Sequence, residues 1–301
     1  MFDLVGAYSE QLAFASFDEL PMHVIAVDGN YIEPQIVESL QVDNGEHYTI
    51  LVNPKLPKKY TFRLSATAPI QIMWATGILD FKIRGRAQST EASLPYINGA
   101  GTNTSASVKS FDLDNSPPYP PSPPPATADA TYKLTMQDYG IYLALNETAL
   151  PQDTDELTPL LFRPQAGRED NTTVTISSEV GAVDYIISSA EGGPTHPIHM
   201  HGKHFYVIGR GIGNFTWATV EEAMAAKPHM FNLVNPPLRD TMPTLEDAYN
   251  WMVLRRPGGN PGVWFLHCHI LNHLQGGQGI IIQEGTDNYP AIPQQYIDQQ
   301  W

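Results

Sequence analysis

The chain has 301 residues, 42% of them hydrophobic and 16% charged, the balance of a folded globular protein with room for two domains. Its formal net charge is −15. An acidic surface of that size repels phosphate backbones and anionic lipid, and no apolar run is long enough to span a bilayer, so nucleic-acid and membrane partners are not expected.

The amino terminus, "MFDLVGAYSEQLAFASF", lacks the basic start and sustained apolar stretch of a secretory signal. Four N-x-S/T sequons, at Asn103, Asn146, Asn171 and Asn214, point the other way, towards a secretory history. The stretch "MHVIAVDGNYIEPQIVESLQVDNGEHYTILVN" then alternates apolar and polar residues, with turn signals at Asp28-Gly29 and Asn44-Gly45. "KYTFRLSA" and "IQIMWATGILDF" continue that pattern, so residues 1–112 read as a first β domain. Seven prolines between Pro117 and Pro125 exclude a helix or a central strand and favour a stiff, extended spacer, placed at residues 113–130.

From residue 131 to 301 short β runs resume: "TVTISSEV", "VDYIISSA", "HFYVIGRG", "YNWMVLRR", "GVWFLHCHI" and "GIIIQEG". One helix stands out. It starts at Thr219, has Glu222 at capping-box spacing, and runs through "EEAMAAK" to Pro228. Many short strands separated by Gly, Pro and Asn predict an all-β protein, a sandwich or barrel.

Seven of the ten histidines fall in two windows, "HPIHMHGKH" (His196, His199, His201, His204) and "HCHILNH" (His267, His269, His273). The second window also holds the only cysteine, Cys268, which therefore cannot form an internal disulfide. A lone histidine is usually a hydrogen-bonded strand residue; two such windows point to metal. In an extended chain residues i and i+2 share a face and i+1 takes the other. His267 and His269 can thus reach one site while Cys268 reaches another, and His199 and His201 share a face in the same way. Two imidazoles with one thiolate and a weak axial partner form the blue-copper donor set, which His196, Cys268 and His273 supply. A structural zinc site usually has paired cysteines, which this chain lacks, and a cupin-like iron or manganese site wants a glutamate soon after "HMH".

"HPIHMHG", "NPPLRDT" and "NPGVWFLHCHILNHLQGGQ" together resemble the carboxy-terminal domain of multicopper oxidases, notably fungal laccases and ascorbate-oxidase-like enzymes. More loosely, "LPMHVIAVDGNYIEPQIVESLQVDNGEHYTILV" is similar to their middle domain. The resemblance implies two consecutive cupredoxin-like Greek-key β-sandwich domains, the first entered after its initial strands, with copper as cofactor. It implies oxidation of a small phenolic reductant with dioxygen reduced to water. By position His196, Cys268 and His273 match type-1 copper ligands, His199 a type-2 ligand, and His201, His267 and His269 type-3 ligands. The electron path implied runs from Cys268 through His267 and His269. Where the family has a histidine after "HxHG", this chain has Lys203; His204 is read as structural. Asp240 either orients a ligand or is an ordinary loop carboxylate or strand-end cap. Gln278, five residues after His273 where the family has Met, Leu or Phe, either offers its amide oxygen as a weak axial ligand or has no role.

A complete cluster in this family uses eight histidines, four of them from an amino-terminal cupredoxin domain with two further H-x-H motifs. The remaining histidines here, His23, His47 and His229, form no such motif. The sequence therefore predicts a laccase-like chain without the amino-terminal half of its oxygen site, secreted by resemblance yet without a signal peptide of its own. The alternatives are a mononuclear blue-copper electron-transfer protein or an inactive remnant.

Overall fold

A computed structural model describes the chain except for residues 11, 69–70, 139–142, 146–147, 151–161, 163–171, 190–194, 247–248 and 299–301. Two of the sequons, at Asn146 and Asn171, lie outside the described residues. The rest form two compact units, Met1–Ser122 and Pro123–Trp301.

In the first unit β1 (Phe2–Val5), β3 (Met22–Val27), β4 (Asn30–Val37) and β6 (His47–Val52) make one sheet, in the order β1-β6-β3-β4. A second sheet, β5-β2-β7-β8, holds β2 (Ala13–Phe17), β5 (Leu40–Val42), β7 (Lys58–Ala68) and β8 (Gln71–Phe81). The Asp28-Gly29 signal is a two-residue hairpin turn in which both residues have positive φ, 48° and 80°. That backbone matches the twist of the paired strands β3 and β4. The alternating apolar positions become a core of Phe17, Met22, Val24, Tyr48 and Ile50. Each such side chain, fully buried, contributes about 1.5–3 kcal/mol. Backbone groups of Pro117 and Tyr119 bond to Glu33 and Tyr31 of β4, so this part of the proline-rich segment lies along an edge strand. Proline fits there because an edge leaves one side of the ladder without a donor requirement.

The second unit has a six-stranded sheet of β9 (Ala130–Asp138), β10 (Leu143–Leu145), β12 (Ala182–Ser189), β14 (Phe205–Ile212), β15 (Leu238–Arg239) and β17 (Asn250–Pro257). Its five-stranded sheet contains β11 (Thr173–Ile176), β13 (Pro197–Met200), β16 (Thr241–Pro243), β18 (Gly262–Cys268) and β19 (Gly279–Glu284), in the order β11-β19-β18-β13-β16. β9 with β12, and β11 with β19, pair in parallel; the other pairs in these two sheets are antiparallel. The helix expected at Thr219 is α1 (Val220–Ala226). Thr219 Oγ1 accepts from the Glu222 amide at 3.1 Å, and Glu222 Oε2 accepts from the Ala218 amide at 3.0 Å. α1 buries Val220 and Ala223, and Val220 joins a cluster with Trp251, Val253 and Ile208. Two further helices, α2 (Leu271–Gln275) and α3 (Gln294–Ile297), are too short to carry a periodic signal in the sequence.

β17 is buried on both faces, so its successive arginines meet different partners. Arg255 grips Asp184 through two bonds of 2.7 Å and donates to the carbonyls of Pro125 and Ala126. Arg256 pairs with Glu284. Among the described residues no helix is long and apolar enough to cross a membrane. Each unit thus holds two β-sheets, in keeping with the all-β architecture expected from the sequence.

Candidate metal centre

The two histidine windows meet on neighbouring strands. β13 and β18 pair antiparallel with Ile198 opposite Cys268 and His199 opposite His267. Main-chain bonds extend the pairing past both strand ends, from the His269 amide to Pro197 O at 2.7 Å and from the His201 amide to Phe265 O at 2.9 Å. Side-chain alternation then sorts the residues by face.

On one face Cys268, fully buried, points at His196 and His273. The Cys268 Sγ lies 3.6 Å from His196 Nδ1 and 3.5 Å from His273 Nδ1, and the two Nδ1 atoms are 3.1 Å apart. A point equidistant from the corners of that triangle is about 2 Å from each, the length of a bond from a first-row metal to nitrogen, slightly short for sulfur. The donor set therefore fits one metal ion. His273 reaches it from α2, the single turn that follows β18. The buried Gln278 places its amide oxygen 3.2 Å from His196 Nδ1.

On the other face four imidazoles gather. The His199 ring lies 4.8 Å from that of His201 and 5.6 Å from those of His267 and His269. His201 and His267 bring their Nε2 atoms within 3.1 Å. His267 Nδ1 is 2.9 Å from the Cys268 carbonyl, which can only accept, so Nδ1 carries the proton and Nε2 keeps a lone pair for a metal. Burial holds His267 down to about 3, so its ring is neutral at ordinary pH, and partial desolvation also lowers the more exposed His201.

His199 is oriented by a relay. Its Nδ1 lies 3.6 Å from Asp240 Oδ1, too far for a direct bond, but 2.9 Å from the Thr241 hydroxyl. That hydroxyl donates to Asp240 Oδ1 at 2.9 Å. Burial alone would raise Asp240, yet the nearby His199 imidazole and the bond from the Thr241 hydroxyl hold it below the usual carboxylate range. Thr241 escaped the sequence reading, although the "RDT" run that flagged Asp240 ends on it. His204 sits half-buried just before β14.

The turn after His201 is built on Gly202, whose φ is +85°. A Cβ there would lie 2.3–2.7 Å from the Trp264 ring, which Nε1 fixes by donating to Asn260 O at 2.8 Å. Gly202→Ala should therefore destabilise the protein by about 2 kcal/mol or more, from strain and overpacking together. Thermal unfolding measures this, and an unchanged midpoint would show that the turn relaxes freely.

A buried thiol facing two imidazoles inside a β-sandwich defines the copper-binding class of cupredoxin domain. The comparisons with known proteins narrow that class. Residues 4–80 and 143–288 both match the multicopper oxidase family. The chain is 37% identical over 302 residues to the multicopper oxidase elcG of Phaeosphaeria nodorum, covering 94% of this chain and 47% of that protein. It is 34% identical to laccase abr2 of Aspergillus fumigatus, covering 97% of this chain and 51% of the relative. The laccase of Botrytis aclada superposes with a TM-score of 0.74 at 22% identity, over 98% of this chain and 53% of that structure. Fet3p, a multicopper oxidase that functions in iron import, also gives 0.74 at 20% identity, over 98% and 58%. At that identity the two structures speak for the fold alone. The chain belongs to the multicopper oxidase family, whose cofactor is copper. It spans about half the length of the curated relatives it matches.

Proposed function

We propose that this chain carries the electron-accepting copper site of a laccase-like oxidase together with half the ligands of its oxygen site. One observation supports this above the others: a single strand end presents a thiol to two imidazoles on one face and two more imidazoles to a second cluster on the other. His196, Cys268 and His273 would hold the type-1 copper, His199 the type-2 copper, and His201, His267 and His269 the type-3 pair. Copper, when bound, supplies one-electron oxidation of small phenolic reductants coupled to reduction of dioxygen to water.

The chain's own groups prepare that chemistry. Cys268 is buried, which keeps its sulfur from water and oxidants. The Thr241–Asp240 relay and the Cys268 carbonyl each fix a proton on Nδ1, of His199 and His267 respectively, and so aim Nε2 into the cluster. Peptide bonds on either side of Cys268 join the two sites covalently, through His267 and His269. The exposed sequon residue Asn214 supports an extracellular setting.

Four imidazoles satisfy only part of a three-copper cluster. The isolated chain should hold about one copper tightly after dialysis and should not consume oxygen when given a phenol. Copper analysis and oxygen uptake test this. A chain holding no copper would overturn the reading, and vigorous uptake would show that copies of the chain complete the cluster together.

A further inference from the structure

We infer that Gln278 is the fourth donor of the Cys268 site and lowers its reduction potential. The inference rests on the copper reading of His196, Cys268 and His273 given above, and it concerns a position where the family resemblance leads one to expect Met, Leu or Phe.

Three observations carry it. Gln278 is 1% exposed, and a buried carboxamide needs polar partners. Its Oε1 lies 3.2 Å from His196 Nδ1, the same nitrogen that faces Cys268 Sγ and His273 Nδ1. With a hydrogen on Nδ1 this contact is a hydrogen bond to the amide oxygen; with Nδ1 turned to metal binding its lone pair and the oxygen repel unless the metal ion lies between them. Finally, the backbone of Gln278 is tied to two of the other donors' residues. Its amide donates to His273 O at 3.0 Å, and its carbonyl accepts from the Cys268 amide at 3.0 Å. The side chain therefore enters the site from a frame that moves with Cys268 and His273.

A carboxamide oxygen is a harder donor than a thioether and prefers Cu(II) to Cu(I); an apolar side chain offers no donor and leaves Cu(I) favoured. A low potential accepts electrons only from reductants that release them readily.

The test uses the full chain loaded with copper, with Gln278→Leu and the similarly sized Gln278→Met compared with the unaltered protein. Redox titration and paramagnetic resonance are the readouts. In Gln278→Leu the Cu(I) to Cu(II) ratio at fixed potential should rise at least tenfold, equivalent to about 59 mV for a one-electron couple. Gln278→Met should fall between, and serves alone if the Leu variant does not fold. The resonance signal should change while the thiolate absorption persists. An unchanged potential with that absorption intact would overturn the role of Gln278 and leave the copper site standing. Absence of thiolate absorption from the unaltered protein would overturn the copper reading itself.

Discussion

Replacing Cys268 with serine removes the visible thiolate-to-copper absorption completely and leaves the strand frame in place. Serine fills nearly the same volume at a fully buried position, and the backbone bonds that fix residue 268 do not involve the side chain. What is lost is the one soft donor in the triangle with His196 and His273. The companion variant His199→Ala makes the contrast, because His199 lies on the opposite face and its loss should leave the absorption unchanged. Absorption spectra of the two copper-loaded variants decide the matter. A band that survives in Cys268→Ser, or disappears in His199→Ala, would mean that the faces have been assigned wrongly.

The second large effect lies at the Arg255–Asp184 pair, both members of which have fully buried side chains. Arg255→Met should destabilise the protein by roughly 3–5 kcal/mol, since it leaves a carboxylate in the interior without its counter-charge. The double variant Arg255→Met with Asp184→Leu should recover most of that loss, because it removes the stranded charge as well. In thermal unfolding of the second unit the single variant falls by roughly 10 °C. A single variant no less stable than the double would show that the carboxylate finds water or another donor.

Much of the site was legible because its chemistry is written in parity. "HCH" announces alternate faces, and the pairing of His199 with His267 places the two windows side by side as alternation requires. The strand runs were legible for the same reason, as in β3, where fully and partly buried positions alternate over Met22–Ile25. What could not be read depends on partners distant in sequence. "LRR" looks like the polar end of a strand; only the approach of Asp184, the Pro125 carbonyl and Glu284 makes both arginines interior residues. Thr241 is an ordinary threonine until β16 pairs with β13 and brings its hydroxyl to His199. α2 carries His273 yet has no side-chain cap and only five residues, so its turn is set by what it connects and not by its own propensity.

The pairing of β13 with β18 also bears on how the gene for such a protein can change. A strand stores each side chain's destination as odd or even, and one added or deleted codon inverts every assignment downstream until the next loop. Between Gly262 and His269 such an event would send the sulfur among the imidazoles and an imidazole into the sulfur's place. Point substitutions here can be sampled one at a time, but changes of length cannot. Freedom to lengthen belongs instead to exposed loops such as the one around Asn214, where no residue's function depends on counting. The spacing H-C-H is therefore held by arithmetic as well as by chemistry.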